Sequence, residues 1–282
     1  MFKKIIIILP ALLVTLLVVF FFIIGGGFGK KQVSENTFLS DSLILFAHRG
    51  IVGYPENTRE SLDAARRYGL IAVEIDIRQT KDDIFVLFHD VNCMRLLGKS
   101  ISLSELNYRD VKQIPIIFQN KKTNNFVMTL DEFLKDYSND FYVYLDTKTD
   151  GEKTKFEKAD KLVDLLKRHK VLKSVIVANA DFIFLAYIEY HYPEVLTALE
   201  GFSNDKIWIY NLIPKNFKTD FLSSSYKNIS DDEIDWLKDK DMLSQRIIYH
   251  VNSKNIDKYL NKGITKMIFD YDSSYKFNYP NK

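Results

Sequence analysis

Short apolar, β-branched runs alternate with amphipathic stretches from about residue 42 to the end of the chain. Leu43–Ala47, Ile71–Ile77, Phe141–Leu145, Val175–Ala178, Val195–Leu199, Ile207–Tyr210, Arg246–Val251 and Lys266–Phe269 read as strands, with a weaker strand signal near Phe221. Asn57–Tyr68, Leu130–Tyr137, Glu157–His169, Asp181–Tyr190, Asp231–Leu237 and Ser253–Leu260 read as helices. Asn57 or Thr58 and Ser230 supply N-caps, and Gly69 ends the first helix. Strands joined through helices must lie parallel. About eight such units in ~240 residues predict an α/β fold, a closed (β/α)8 barrel. An open doubly wound sheet is the competing architecture, but no Gly-x-Gly-x-x-Gly turn follows the first strand. Lys81-Asp82-Asp83 turns the chain into Ile84–Phe88 as a hairpin. Residues 91–127 lack strong periodicity and read as a small insertion after the second strand, with one short helix near Ser102–Asn107.

The N-terminus differs in character. Ile5 to Ile24 carries no charge and is interrupted only by Pro10 and Thr15. Twenty helical residues span about 30 Å, the thickness of the hydrocarbon layer. The expectation is one transmembrane helix within a membrane anchor at residues 1–29. A cleaved signal sequence is the alternative, although its apolar region is usually only ~7–15 residues long. Gly25-Gly26-Gly27-Phe28-Gly29 follows, residues 30–41 read as a linker, and residues 42–282 form the barrel domain. Lysines flank the apolar run on both sides. The short N-terminal tail favours an N-in orientation, with the barrel extracytoplasmic, in the periplasm or at the cell exterior. Setting aside Lys3, Lys4, Lys30 and Lys31, the remainder carries 35 basic against 37 acidic groups. That balance argues against a nucleic-acid binder, which needs a clustered basic face. Cys93 is the only cysteine, which excludes an intramolecular disulfide and a cysteine-rich metal site.

Chemistry-bearing residues gather at strand ends. Side chains alternate along a strand, so Glu74 and Asp76 share one face while Val73, Ile75 and Ile77 share the other. Asp146 and Lys148 likewise share a face at the end of the third barrel strand. Buried carboxylates side by side repel unless something positive lies between them. Glu74, Asp76 and Asp146 therefore read as an oxygen-donor site for Ca²⁺ or Mg²⁺ rather than zinc, which recruits nitrogen or sulfur. His48 and His89 each end a strand segment and suit the two halves of a proton-transfer pair. Arg49 offers a planar fork for phosphate oxygens and Lys148 a point charge. His169 and His191 read as structural; His250 is left open.

Ala47-His48-Arg49-Gly50, Pro55-Glu56-Asn57-Thr58, Val73-Glu74-Ile75-Asp76-Ile77, Thr80, Asp82 and His89-Asp90 together resemble the glycerophosphodiester phosphodiesterase family. Leu145-Asp146-Thr147-Lys148 is similar to that family's Leu-Glu-Ile-Lys strand, with aspartate where glutamate is usual. The resemblance implies a TIM barrel, with Ca²⁺ or Mg²⁺ on Glu74, Asp76 and Asp146. It implies His48 and His89 as acid–base catalysts, and Arg49 and Lys148 on the phosphate. Tyr249 stands where a tryptophan is expected and would form part of the substrate wall. The implied reaction splits a glycerophosphodiester into an alcohol and sn-glycerol 3-phosphate, the glycerol 2-hydroxyl attacking first to give a cyclic phosphate. Two alternatives keep the barrel: a phosphodiesterase acting on intact membrane lipids, and a non-catalytic phosphodiester-binding envelope protein.

Overall fold

A computed structural model of the chain describes residues 12–31, 38, 42–148 and 155–271. Eight parallel strands close on themselves: β1 (Ile44–His48), β2 (Ala72–Gln79), β6 (Tyr142–Thr147), β7 (Val175–Asn179), β8 (Leu196–Glu200), β9 (Phe221–Ser225), β10 (Arg246–Val251) and β11 (Lys266–Phe269). β1 pairs with both β11 and β2, which completes the ring. A short β3 (Phe85–Leu87) pairs antiparallel with the end of β2, as the hairpin reading expects. The insertion adds a two-stranded ribbon of β4 (Ile117–Phe118) and β5 (Lys121–Lys122).

Strand parity sorts the side chains into two layers. Phe46, Ala72, Tyr144, Ile176, Ala198, Phe221, Ile247 and Ile268 belong to one apolar cluster that fills the barrel. Phe38 closes its floor, its ring 6.1 Å from Phe46 and 5.2 Å from Tyr142. The opposite parity, including Val73, Ile75, Val143, Leu145 and Val177, packs outward against Leu62, Phe133, Leu162 and Phe184 of the surrounding helices. Thr58, Thr129, Asp181 and Ser230 cap four of those helices, each accepting backbone N–H bonds in the first turn.

Two sequence expectations need correction. Ile207–Leu212 is a helix, not a strand, entered through the turn Asn204–Lys206. Tyr210 alone of its residues is buried, while Trp208, Ile209 and Leu212 are exposed, so burial follows a helical face rather than alternation. β-Branched and aromatic composition is a weak signal when the barrel position is filled by another segment, here Phe221–Ser225. The insertion is also richer than one helix. Met94–Leu97, Leu103–Glu105 and Tyr108–Val111 surround a small core of Phe88, Leu96, Leu97, Leu103 and Val111.

Among the described residues no helix is long and apolar enough to cross a membrane. Residues 12–24 are helical, the last turn, Phe20–Ile24, in π geometry. The first part of the expected anchor and most of the expected linker lie outside the described residues.

Residues 25–31 bind to the barrel floor. Gly25 and Gly27 carbonyls accept from the Asn216 and Lys215 amides at 3.0 Å each, and Lys218 Nζ donates to the Gly29 carbonyl at 2.8 Å. Lys31 pairs with Glu189 and, at 2.7 Å, with Asp220, whose carboxylates are almost fully buried. Burial and the Asp220 charge push Glu189 up to about 8 from its ordinary 4.5. The folded chain thus holds a proton that the unfolded chain releases between those values. This group's contribution to stability is present below pH 4.5 and is lost as pH rises through 8. Removing the lysine should aggravate that loss. We expect Lys31→Met to cost about 3 kcal/mol at pH 8 and markedly less at pH 5, read by thermal denaturation at both values. An equal cost at both would exclude ionised Glu189 as the source.

Candidate active site

The inward parity that fills the barrel with Phe46, Ala72, Tyr144, Ala198 and Ile247 changes character toward the C-terminal ends of the strands. One or two steps further along, it presents His48, Glu74, Asp76, Asp146, Glu200 and Tyr249. These lie at the mouth, where barrel enzymes carry their chemistry. A cavity of about 200 Å³ is lined by His48, Arg49, Glu74, Asp76, His89, Asp146, Lys148 and Tyr249, so all eight residues assigned from the sequence meet. Glu200, His250 and Ile268 complete the lining. A larger groove of about 900 Å³ on the outer wall, between Asp83, Lys161 and Arg168, contains none of them.

The turn after β1 is tightly built. Arg49 adopts φ 54° and Gly50 φ 95°. A Cβ at Gly50 would sit 2.5 Å from Ser61 Oγ, so glycine is required on both conformational and steric grounds. The Ser61 hydroxyl donates to the Arg49 carbonyl, and the Arg49 amide donates to Glu74 Oε2 at 2.9 Å. Strand register does the rest. His48 lies opposite Glu74, and Asp76 lies directly opposite Asp146.

Glu74, Asp76 and Asp146 each offer an oxygen within 4.8 Å of the others, and all three residues are buried. Burial and the neighbouring carboxylates push Glu74 and Asp146 well up. Burial opposes ionisation of Asp76 too, but Arg49, Lys148 and His89 overcome it and hold its carboxyl below the usual range. Asn57, at φ 55°, donates to Asp76 Oδ2 at 3.0 Å, and Arg49 Nε lies 3.0 Å from the same oxygen. Asp76 Oδ1 and Asp146 Oδ1 are buried and accept no hydrogen bond. Lys148 pairs with Asp146 and lies 3.4 Å from Asp76 Oδ1. Orphaned carboxylate oxygens converging in an oxygen-donor triad fit a hard divalent cation.

Each imidazole is oriented by a carboxylate. His48 Nδ1 lies 2.6 Å from Asp270 Oδ1, just beyond β11, and His89 Nδ1 lies 2.8 Å from Asp90 Oδ1. With Nδ1–H donating to its carboxylate, each ring is left with Nε2 as the nitrogen that could exchange a proton. His89 Nε2 is 4.0 Å from Asp76 Oδ1. Arg78 Nε donates to the His89 carbonyl at 2.7 Å. Arg95, from the insertion, forks onto Asp90 at 2.7 and 2.8 Å and onto Glu56 at the same distances. Glu56 in turn accepts from Arg49 at 3.1 Å. Hydrogen bonds from Arg95 and His89 pull Asp90 down to about 2, keeping it an acceptor for the imidazole.

Of the remaining histidines, His169 pairs with Asp131 at 2.9 Å and His191 packs on Tyr187, both structural as expected. His250 belongs to the site: its ring centre is 6.5 Å from that of His48, and burial followed by the His48 charge pushes its pKa down. Glu200, Asp270 and Arg95 were not foreseen. A period-two reading of β8 carried one residue past Leu199 would have placed Glu200 inward.

The sequence pattern of the glycerophosphoryl diester phosphodiesterase family matches residues 48–270. An uncharacterised protein of Mycoplasma genitalium is 31% identical over 145 residues, which are 49% of this chain and 59% of that protein. A glycerophosphodiester phosphodiesterase of Bacillus subtilis is 26% identical over 49% of this chain and 50% of its own length. The chain thus spans roughly half the length of the curated relatives it matches. Among solved structures, a phosphodiesterase of Oleispira antarctica in complex with the product sn-glycerol-3-phosphate superposes with a TM-score of 0.71. It is 21% identical, over 82% of this chain and 94% of that one. One from Silicibacter pomeroyi also gives 0.71, at 16% identity, over 82% and 90%. These structural likenesses speak for the fold. The match over residues 48–270, which takes in the histidine turn, the acidic strand and Asp146-Thr147-Lys148, makes the chain a member of the glycerophosphoryl diester phosphodiesterase family.

Proposed function

We propose that this protein hydrolyses glycerophosphodiesters to an alcohol and sn-glycerol 3-phosphate. The observation that carries the reading is the pairing of two carboxylate-oriented imidazoles with three converging acids and two cations in one small cavity. Arg49 and Lys148 grip the phosphate oxygens. One imidazole takes the proton of the glycerol 2-hydroxyl as its oxygen bonds to phosphorus. The other protonates the alkoxide that leaves. Water then opens the cyclic phosphate with the two proton roles exchanged. Glu74, Asp76 and Asp146 would hold Ca²⁺ or Mg²⁺, which when bound supplies positive charge to a phosphoryl oxygen.

A cavity of about 200 Å³ favours a deacylated diester over an intact phospholipid. Pockets for drug-sized ligands run to ~300–1,000 Å³, and two acyl chains exceed that again. We also propose that the apolar N-terminal run anchors the chain in a membrane, with the barrel on the extracytoplasmic side. Its 20 uncharged residues support this, as do residues 25–31, which tie the end of the helix to the barrel floor and leave the mouth facing away. A substrate drawn from water suits that arrangement.

The chemistry is tested by exchanging each imidazole. His48→Ala and His89→Ala should each lower kcat on glycerophosphodiesters by about 10²–10⁴-fold with the fold intact by circular dichroism. Full activity in both would refute the assignment. The cation site has a readout independent of turnover. Calcium at 100 times its Kd should stabilise the wild-type chain by about 2.7 kcal/mol. In Glu74→Gln that stabilisation should vanish, while the metal-free protein, relieved of a buried repulsion, should melt no lower than wild type. A Glu74→Gln variant that responds to calcium as wild type does would remove Glu74 from the site.

A further inference from the structure

Glu200 closes β8 and lines two cavities at once. On one side lies the polar catalytic cavity. On the other is a pocket of about 260 Å³, largely apolar, walled by Phe182, Phe202, Ile209 and Tyr210 and open at Ala180. Phe202 and Tyr210 are buried, and their ring centres lie 5.6 Å apart, so this wall is fixed. Lys206, the basic residue at its rim, is turned onto the Gly201 carbonyl.

We propose that this pocket receives the leaving alcohol of the diester, and that Glu200 selects an amino alcohol, one carrying a compact cation. The assignment rests on the hydrolase reading above, which fixes the phosphate at Arg49 and Lys148. The alcohol on the phosphate's far side must then leave the catalytic cavity along one of its walls. Glu200 lines both the catalytic cavity and the apolar pocket, so its wall leads from one to the other.

Charge argues for the cation. Lys148, which pairs with Asp146 and lies 3.4 Å from Asp76 Oδ1, is also the cation that favours an ionised Glu200, and a phosphate bound at Lys148 takes up that charge. Glu200 accepts from Tyr144 Oη at 3.1 Å, a neutral partner that adds no positive charge to the carboxylate. A half-buried carboxylate in that position gains from a positive group brought to it. Hydration argues the same way. A polyol entering between Phe182, Phe202 and Ile209 would strip its hydroxyls of water without replacement, at a cost of about 1–3 kcal/mol each. A methylated ammonium is weakly hydrated and gains from aromatic faces. Apart from Glu200, Lys206 and Tyr210, the side chains around the pocket are glycine, alanine, aliphatic or phenylalanine and offer a polyol no donors or acceptors of their own.

The test compares glycerophosphocholine with glycerophosphoinositol in the wild-type chain, Glu200→Gln and Ala180→Trp. Glu200→Gln removes the charge; Ala180→Trp, at an exposed position, fills the pocket and leaves every charge in place. Wild type should favour the choline diester in kcat/KM by about tenfold or more. Both variants should bring that ratio toward one, chiefly through KM for the choline diester. A wild-type ratio near one, or an unchanged ratio in Glu200→Gln, overturns the assignment alone. Turnover of neither diester by wild type overturns the hydrolase reading and this assignment with it.

Discussion

Three carboxylates crowded into one water-poor rim set the terms for everything around them. Glu74 and Asp76 are two residues apart on one strand, and Asp146 is placed directly across from Asp76 by strand register. Nothing in a rigid parallel sheet allows them to move apart. Unit charges ~4 Å apart repel by about 4 kcal/mol even at an effective dielectric near 20. The surroundings answer that repulsion with positive or donating groups: Arg49 and Asn57 on one oxygen of Asp76, Lys148 between Asp76 and Asp146, the Arg49 amide on Glu74. Two oxygens still lack a donor. The barrel therefore folds around an electrostatic deficit that a divalent ion would remove, so the geometry that crowds the carboxylates is also the geometry suited to a cation.

That deficit was legible in the sequence because it depends on local rules. Period two fixes Glu74 and Asp76 on one face, and the Asp146–Lys148 spacing repeats the pattern on the next strand. His48, Arg49 and His89 follow apolar runs directly, so their position at strand ends needed no knowledge of the tertiary fold. The parts that escaped depend on contacts across the sequence. Asp270 orients His48 from 222 positions away, and an aspartate after a strand carries no local mark of that role. Arg95 sits in a stretch without periodicity, and its effect is exerted through Asp90 and Glu56. Ile207–Leu212 misled because its composition suits a strand while its burial suits a helix, and only the ring of eight decides which segment is admitted.

The insertion is more than a cover over the second strand. Through Arg95 it joins two carboxylates beside the site, Asp90 behind His89 and Glu56 next to Arg49. A fork bonded to both carboxylates holds each in one orientation, which a lysine's single ammonium would not do. The His89 imidazole and the Arg49 guanidinium are thereby both tied, each through one carboxylate, to a single side chain. Arg95 itself is seated by its neighbours Leu96 and Leu97, which belong to the insertion's own small core. A change in how that core packs would therefore reach His89 and Arg49 together through Arg95.

The same economy governs the barrel's other end. Lys31 lies outside the family match, yet it meets a buried acid pair that belongs to the barrel itself, Glu189 and Asp220. Two carboxylates in that position without a cation would have to take up a proton or disrupt the strand entry at Thr197, whose amide and hydroxyl they accept. The barrel floor is thus electrostatically incomplete until the segment before it docks. Mouth and floor are both acidic, but they are neutralised differently. The floor takes a covalently attached lysine and becomes a fixed joint. The mouth leaves oxygens unpaired, and so retains the capacity to bind.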